Sequence, residues 1–170
     1  MSELTGSNTE INLEEAFAGE SQANRRYLAF AKKAEAEGYP QVAKLFRAAA
    51  EAETVHALAH LRVMGGIGST AENLREAIGG ETHEFKTMYP SMIADAEAEG
   101  FRQALRSFDY ANQVEQIHAG LFQGALNSLG EELEPSDYHV CPVCGYTVES
   151  EAPEACPICR TPGERFMKVE

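Results

Sequence analysis

The sequence predicts a mainly α-helical protein that ends in a small module of different composition, and three observations carry that reading. Residues from about 10 to 130 are rich in Ala, Glu, Leu, Gln and Arg, with apolar positions every three to four residues, the period of an amphipathic helix. Within them, AEAEGYPQVAKLFRAAAEAETVHA (34–57) aligns with AEAEGFRQALRSFDYANQVEQIHA (96–119) at a constant offset of 62, with 11 of 24 positions identical. All four Cys of the 170-residue chain lie between positions 141 and 159.

Start and stop residues divide the helical region into four long helices. The first runs from about Leu13 to Glu37 and stops at Gly38. The second runs from about Pro40, well placed at a helix start, to Met64 before Gly65-Gly66. A connection of about 15 residues, Met64 to Gly80, includes a short helix opened by Ser69 with Glu72 three residues on, a capping box. The third helix spans about Gly80 to Glu99 and contains Pro90, which should kink it or break its hydrogen-bond ladder. The fourth spans about Phe101 to Leu129. The composition change then sets a helical domain at 1–130, a linker at 131–137 and a module at 138–170. So short a module buries too little apolar surface to fold alone, and a structural metal would supply the missing stability.

The formal net charge of -13, from 14 Lys plus Arg against 27 Asp plus Glu, excludes nucleic acid and anionic membranes as partners. The acidic, polar start lacks the basic and apolar regions of a secretory signal, and no stretch approaches the roughly 18 apolar residues that span a bilayer. The expected location is the cytoplasm. There, clustered cysteines point to metal ligation rather than disulfides. The glycine-rich GGIGS has neither a lysine nor a preceding strand, so it is not expected to cradle phosphate.

The offset of 62 places Glu53 on Glu115 and His56 on His118, two Glu-x-x-His elements whose side chains share a helix face. The inward stripes read Leu45, Ala49, Glu53, His56, His60, Met64 on the second helix and Phe108, Ala111, Glu115, His118, Phe122, Leu126 on the fourth. Glu20 lies in the stripe Leu13, Phe17, Glu20, Asn24, Tyr27, and Glu81 and Glu84 share a face with Met88. Carboxylates converging in a core protonate unless cations neutralise them. Oxygen donors with a few imidazoles suit Fe or Mn, and one Glu from each of two helices plus Glu-x-x-His from each of the other two is the donor pattern of ferritin-like di-iron bundles. His60 and His83 have no such support and read as satisfied or solvated histidines.

Cys141-Pro-Val-Cys144 and Cys156-Pro-Ile-Cys159 form two C-x-x-C hooks with 11 residues between them, a tetrathiolate site for Zn or a single Fe. A di-iron bundle with an appended four-Cys module resembles the rubrerythrin family, through EEAFAGESQANRRY, AEAETVHA, GETHEFKTMYP, VEQIHA and CPVCGY followed by CPICR. The resemblance implies a ferritin-like four-helix bundle with a rubredoxin-like tail. It implies di-iron ligands Glu20, Glu53, Glu81, Glu84, Glu115 and His118, with His56 exchanging for Glu84 on reduction, and one Fe on Cys141, Cys144, Cys156 and Cys159. Tyr27 and Tyr89 match family positions that hydrogen-bond ligand carboxylates, and Arg160 stands where rubredoxins place glycine.

The implied activity is a cytoplasmic peroxidase in oxidative-stress defence. It reduces hydrogen peroxide to water with electrons relayed through the one-iron centre from a rubredoxin or a NAD(P)H-dependent reductase. Zn or Mn could replace iron. Two rival readings are a ferritin-like ferroxidase or iron store, and a Zn ribbon that docks a helical bundle onto a partner. Because a tail after the fourth helix need not reach its own di-iron site, the resemblance also implies a homodimer in which one chain's tail serves the other's bundle. Helices are exchanged between chains in some members.

Overall fold

The computed structural model describes residues 4–132 and 135–169. Positions 133–134 of the expected linker lie outside the described residues. The chain is mainly helical, with a small strand region around the four cysteines, and no described helix is long and apolar enough to cross a membrane. It forms two compact units, Met1–Gly68 and Ser69–Glu170. The division thus falls between the two halves of the internal repeat rather than at the composition change near residue 130, and the cysteine module belongs with the second half.

The first unit is a hairpin of α1 (Asn8–Ala36) and α2 (Pro40–Val63). Ser7 caps α1 by accepting the Glu10 amide at 3.1 Å. Gly38 ends it at φ +82°, and the Tyr39 amide reaches back to the Ala34 carbonyl at 2.8 Å. The seam is built of small residues: the buried positions are Ala31 and Ala34 on α1 and Ala43, Ala50 and Ala57, spaced by seven, on α2. Asn24 is buried among them and donates Nδ2 to the Ala50 carbonyl at 2.7 Å and Thr54 Oγ1 at 2.8 Å. The stripe expected on α2 is therefore shifted. Leu45 is 67% exposed, because two helices bury only a narrow seam and the alanines occupy it.

In the second unit α3 (Thr70–His83) starts at the expected capping box, Ser69 with Glu72. The helix expected to begin at Gly80 is continuous with it: Gly79 and Gly80 cost about 1 kcal/mol each relative to Ala but do not stop a capped helix. The connection from Met64 shrinks accordingly. Pro90 does disturb the ladder. Residues Glu84–Met88 form a π-helical turn in which the Tyr89 amide bonds the Glu84 carbonyl, five residues back. α4 (Tyr89–Glu99) follows and ends at Gly100, φ +79°, with the Phe101 amide on the Ala96 carbonyl at 2.9 Å, the repeat's counterpart of the Gly38 cap. α3 and α4 both pack along α5 (Arg102–Asn127), whose expected stripe from Phe108 to Leu126 is half-buried and whose Val114 is buried.

The module holds an antiparallel sheet in the order β2-β1-β3, from Tyr138–Val140 (β1), Thr147–Glu149 (β2) and Met167–Lys168 (β3). Val140 pairs with Thr147 and with Met167. β2 also packs on α5, and a Cβ at Gly145 would stand 3.8 Å from Val114 Cγ1.

Candidate functional site

In the first unit α1 presents Glu20, and α2 presents Glu53 and His56, with one donor atom of each within 4.8 Å of the others. His56 Nδ1 lies 3.1 Å from Glu53 Oε2 and 3.8 Å from Glu20 Oε1. In the second unit α3 presents Glu81, and α5 presents Glu115 and His118, again within 4.8 Å. His118 Nδ1 lies 2.8 Å from Glu115 Oε2 and 3.8 Å from Glu81 Oε1. The two groups are copies of one arrangement, as the repeat requires. Each half of the repeat brings a Glu on one helix to a Glu-x-x-His on another.

Their electrostatics match as well. A hydrogen bond from Glu53, then burial and the Glu53 charge, raises the Glu20 carboxyl above its usual 4.5, against the opposing pull of His56 and His60. Burial raises the Glu81 carboxyl, assisted by the hydrogen bond and charge of Glu115. In each group the neighbouring carboxylate favours a proton on Glu20 or on Glu81. A divalent cation would replace that proton and use the oxygen and imidazole donors that Fe or Mn prefers.

Glu84 opens the π turn, and its carboxylate is outside the Glu81–Glu115–His118 group. Tyr89 stands close enough to the acidic group that burial, and then the charges of Glu115, Glu84 and Glu81, raise its phenol. Tyr27 instead packs its ring against Phe30 and Phe46, and among the described residues its hydroxyl bonds no carboxylate. His83 is exposed, whereas His60, read from the sequence as a satisfied or solvated histidine, lies in the field of Glu20.

The cysteine hooks fold into matched knuckles. The Gly145 amide bonds the Cys141 carbonyl and the Arg160 amide the Cys156 carbonyl, both at 3.0 Å. The Cys141 amide bonds the Tyr146 carbonyl at 2.9 Å and the Cys156 amide the Thr161 carbonyl at 2.8 Å. Both knuckles turn through the left-handed region, Gly145 at φ +84° and Arg160 at φ +65°, so Arg160 adopts the glycine conformation that its side chain disfavours. Cys141 and Cys159 sulfurs are 3.5 Å apart, as are those of Cys144 and Cys156. A tetrahedron with ~2.3 Å metal–sulfur bonds has edges of about 3.8 Å, so the four thiols are already arranged for one metal ion.

Burial pushes the Cys144 thiol up. At Cys159 burial acts in the same direction, but hydrogen bonds from the Thr161 hydroxyl and amide and from Cys141 and Cys144 outweigh it and bring the thiol down to about 6. The module also touches the acidic group directly: Thr147 Oγ1 is 2.9 Å from His118 Nε2. A tail following the last helix therefore does reach the group built on its own chain's α5. Nothing in the sequence singled out Thr147 or Thr161.

A family model described as rubrerythrin matches residues 12–126, and one described as the rubredoxin-like domain of rubrerythrin matches 139–167. The chain belongs to the rubrerythrin family. Rubrerythrin-2 of Clostridium acetobutylicum is 39% identical, covering 91% of this chain and 93% of that protein. Nigerythrin of Nitratidesulfovibrio vulgaris is 35% identical, covering 91% and 83%. The solved structure of nigerythrin in its fully reduced, all-ferrous state aligns with a TM-score of 0.59 at 34% identity, covering 99% of this chain and 90% of that one. As in other members of the rubrerythrin family, a ferritin-like di-iron domain is joined to a rubredoxin-like domain, and the donor sets fit two Fe and one Fe per chain.

Proposed function

We propose that this protein is a cytoplasmic non-haem di-iron peroxidase that reduces hydrogen peroxide to water, with Glu20, Glu53, Glu81, Glu84, Glu115, His118 and His56 as its di-iron donors. The observation that carries the reading is the pair of matched Glu–Glu–His groups, one in each half of the repeat, joined in one chain to a preformed four-thiol cluster. The two Glu–Glu–His groups would hold the iron pair that supplies two electrons to the O–O bond, and Cys141, Cys144, Cys156 and Cys159 would hold the single iron through which a rubredoxin or a NAD(P)H-dependent reductase returns them one at a time. The overall change is one hydrogen peroxide, two electrons and two protons to two waters.

The chain's residues do the rest. Glu53 and Glu115 would neutralise cation charge, and the imidazole Nδ1 atoms beside them would complete each donor set. His56 is the member that exchanges in this reading: its side chain is 55% exposed, and among the described residues no partner bonds its Nε2. That freedom suits the exchange with Glu84 on reduction. The expected assembly is a homodimer that covers the apolar side chains exposed on the first hairpin, Val42, Leu45 and Val55 among them, with helices exchanged between chains as the alternative arrangement.

The ferroxidase and Zn-ribbon readings are less well supported, because an iron store has no use for a thiol cluster and a docking ribbon none for contact with His118. Stopped-flow mixing of the fully reduced, iron-loaded protein tests the proposal. Oxidation by peroxide much faster than by dioxygen is expected, and equal rates overturn it.

A further inference from the structure

We propose that Thr147 is a positioning residue that holds His118 in one tautomer and joins it to the thiol cluster through the Gly145 carbonyl. The inference rests on the peroxidase reading for its role and on hydrogen-bond geometry for its substance. A threonine hydroxyl has one proton, and Thr147 donates it to the Gly145 carbonyl at 3.0 Å. Its oxygen can then only accept at 2.9 Å from His118, so Nε2 carries the imidazole hydrogen. Nδ1, which faces Glu115 and Glu81, is thereby the nitrogen left to take a metal.

The rest of the connection is covalent. Gly145 follows Cys144 directly, so a path from the Cys144 sulfur to His118 Nδ1 crosses two hydrogen bonds and otherwise only bonds. The knuckle is held in place from two sides. Thr147 is paired with Val140 in the sheet, and Gly145 sits against Val114 of α5. His56, the repeat's counterpart of His118, has no such anchor among the described residues. The two imidazoles thus differ in role: His118 is fixed and wired to the cluster, His56 free to exchange. Each transfer along the path moves one electron from a ferrous tetrathiolate site, which becomes ferric, to a ferric ion at the Glu–Glu–His groups, which becomes ferrous. An external one-electron carrier protein restores the donor.

The test compares Thr147→Val, which keeps shape and loses the hydroxyl, with Thr147→Ser, which keeps the hydroxyl, in the full-length protein. On mixing reduced, iron-loaded protein with peroxide, the visible band of the ferric tetrathiolate should appear about tenfold more slowly in the valine variant and within about twofold of wild type in the serine variant. The ultraviolet change from di-iron oxidation, read in the same traces, should slow less than the visible band in the valine variant, because the visible band also depends on the connection through Gly145, and should stay within about twofold of wild type in the serine variant. In the zinc-loaded full chain, long-range proton–nitrogen correlation should show a His118 Nε2 hydrogen protected from solvent in wild type and the serine variant, and exchanging at least tenfold faster in the valine variant.

The proposal is overturned if either readout is unchanged by valine, or if serine is as impaired as valine. Should wild-type protein react no faster with peroxide than with dioxygen, the peroxidase reading fails, and the zinc-form spectrum alone decides the Thr147 assignment.

Discussion

Thr161 holds its hydroxyl oxygen 3.1 Å from the Cys159 sulfur while its carbonyl accepts the Cys156 amide at 2.8 Å, so one residue braces both cysteines of the second hook. A hydroxyl donated to a thiolate stabilises negative charge, which is greater on the ferrous tetrathiolate than on the ferric one. Thr161→Val keeps the backbone bond and removes the hydroxyl. With iron bound, the reduction potential should fall by tens of mV, about 59 mV for each tenfold shift in the one-electron equilibrium. In the metal-free protein the Cys159 thiol should rise from about 6 toward the usual thiol range. Visible redox titration and thiol titration are the two measurements; an unchanged potential contradicts the prediction.

Which carboxylates and imidazoles come together was legible because a repeat copies a constellation along with its helices. Offset 62 carries Glu53-x-x-His56 onto Glu115-x-x-His118, and both groups form. Other features depend on choices that a one-dimensional pattern leaves open. Helical periodicity marks an apolar face but not which part of it the adjacent helix takes, so the pattern points Leu45 inward where Ala43, Ala50 and Ala57 make the seam. Pro90 announced a faulty ladder without specifying that a π turn at Glu84 would absorb it. A helix expected to begin at Gly80 is instead the continuation of α3 through Gly79-Gly80, because local propensity is weaker than a capping box and packing on α5. Thr147 and Thr161 act through hydroxyls whose partners are distant or sulfur, and no spacing advertises them.

The second knuckle stores conformational strain at Arg160. A non-glycine residue at φ +65° costs roughly 1–2 kcal/mol, and Gly145 avoids that cost at the matching position of the first knuckle. Arg160→Gly should stabilise the metal-loaded protein by up to about 1 kcal/mol, part of the relief being offset by glycine's greater freedom in the unfolded chain. Arg160→Ala should give no gain. Guanidinium unfolding midpoints of the three proteins provide the comparison, and equal midpoints for Gly and Ala contradict the strain argument.

Asn24 ties α1 to α2 one turn beyond Glu20, donating to both the Ala50 carbonyl and the Thr54 hydroxyl from a position only 8% exposed. Asn24→Ala deletes both bonds at the alanine seam and should cost about 1–3 kcal/mol. Because Ala50 and Thr54 flank Glu53 on α2, loosening this contact should also weaken metal uptake by the Glu20–Glu53–His56 group more than by the Glu81–Glu115–His118 group. Calorimetric unfolding and stepwise Co(II) titration separate the two effects, and equal weakening of both groups argues against local positioning.

The acidic groups predict how stability follows pH. Both Glu20 and Glu81 are raised above 4.5 in the metal-free fold, so between 4.5 and their raised values the folded protein binds more protons than the unfolded chain. Stability should therefore be fullest below 4.5 with respect to these two groups and should decline as pH rises through the raised values, where Glu20 and Glu81 lose their protons beside the neighbouring carboxylates. Glu81→Gln, which cannot ionise, should flatten the decline. Metal changes the sign: a cation takes the proton's place, so anaerobic Fe(II) binding at mildly acid pH should release protons and make the loaded protein gain stability as pH rises. Thermal midpoints across pH for the metal-free, metal-loaded and Glu81→Gln proteins, with a dye readout of proton release, test each step. Parallel pH profiles with and without metal would show that the carboxylate pairs are not where cation and proton compete.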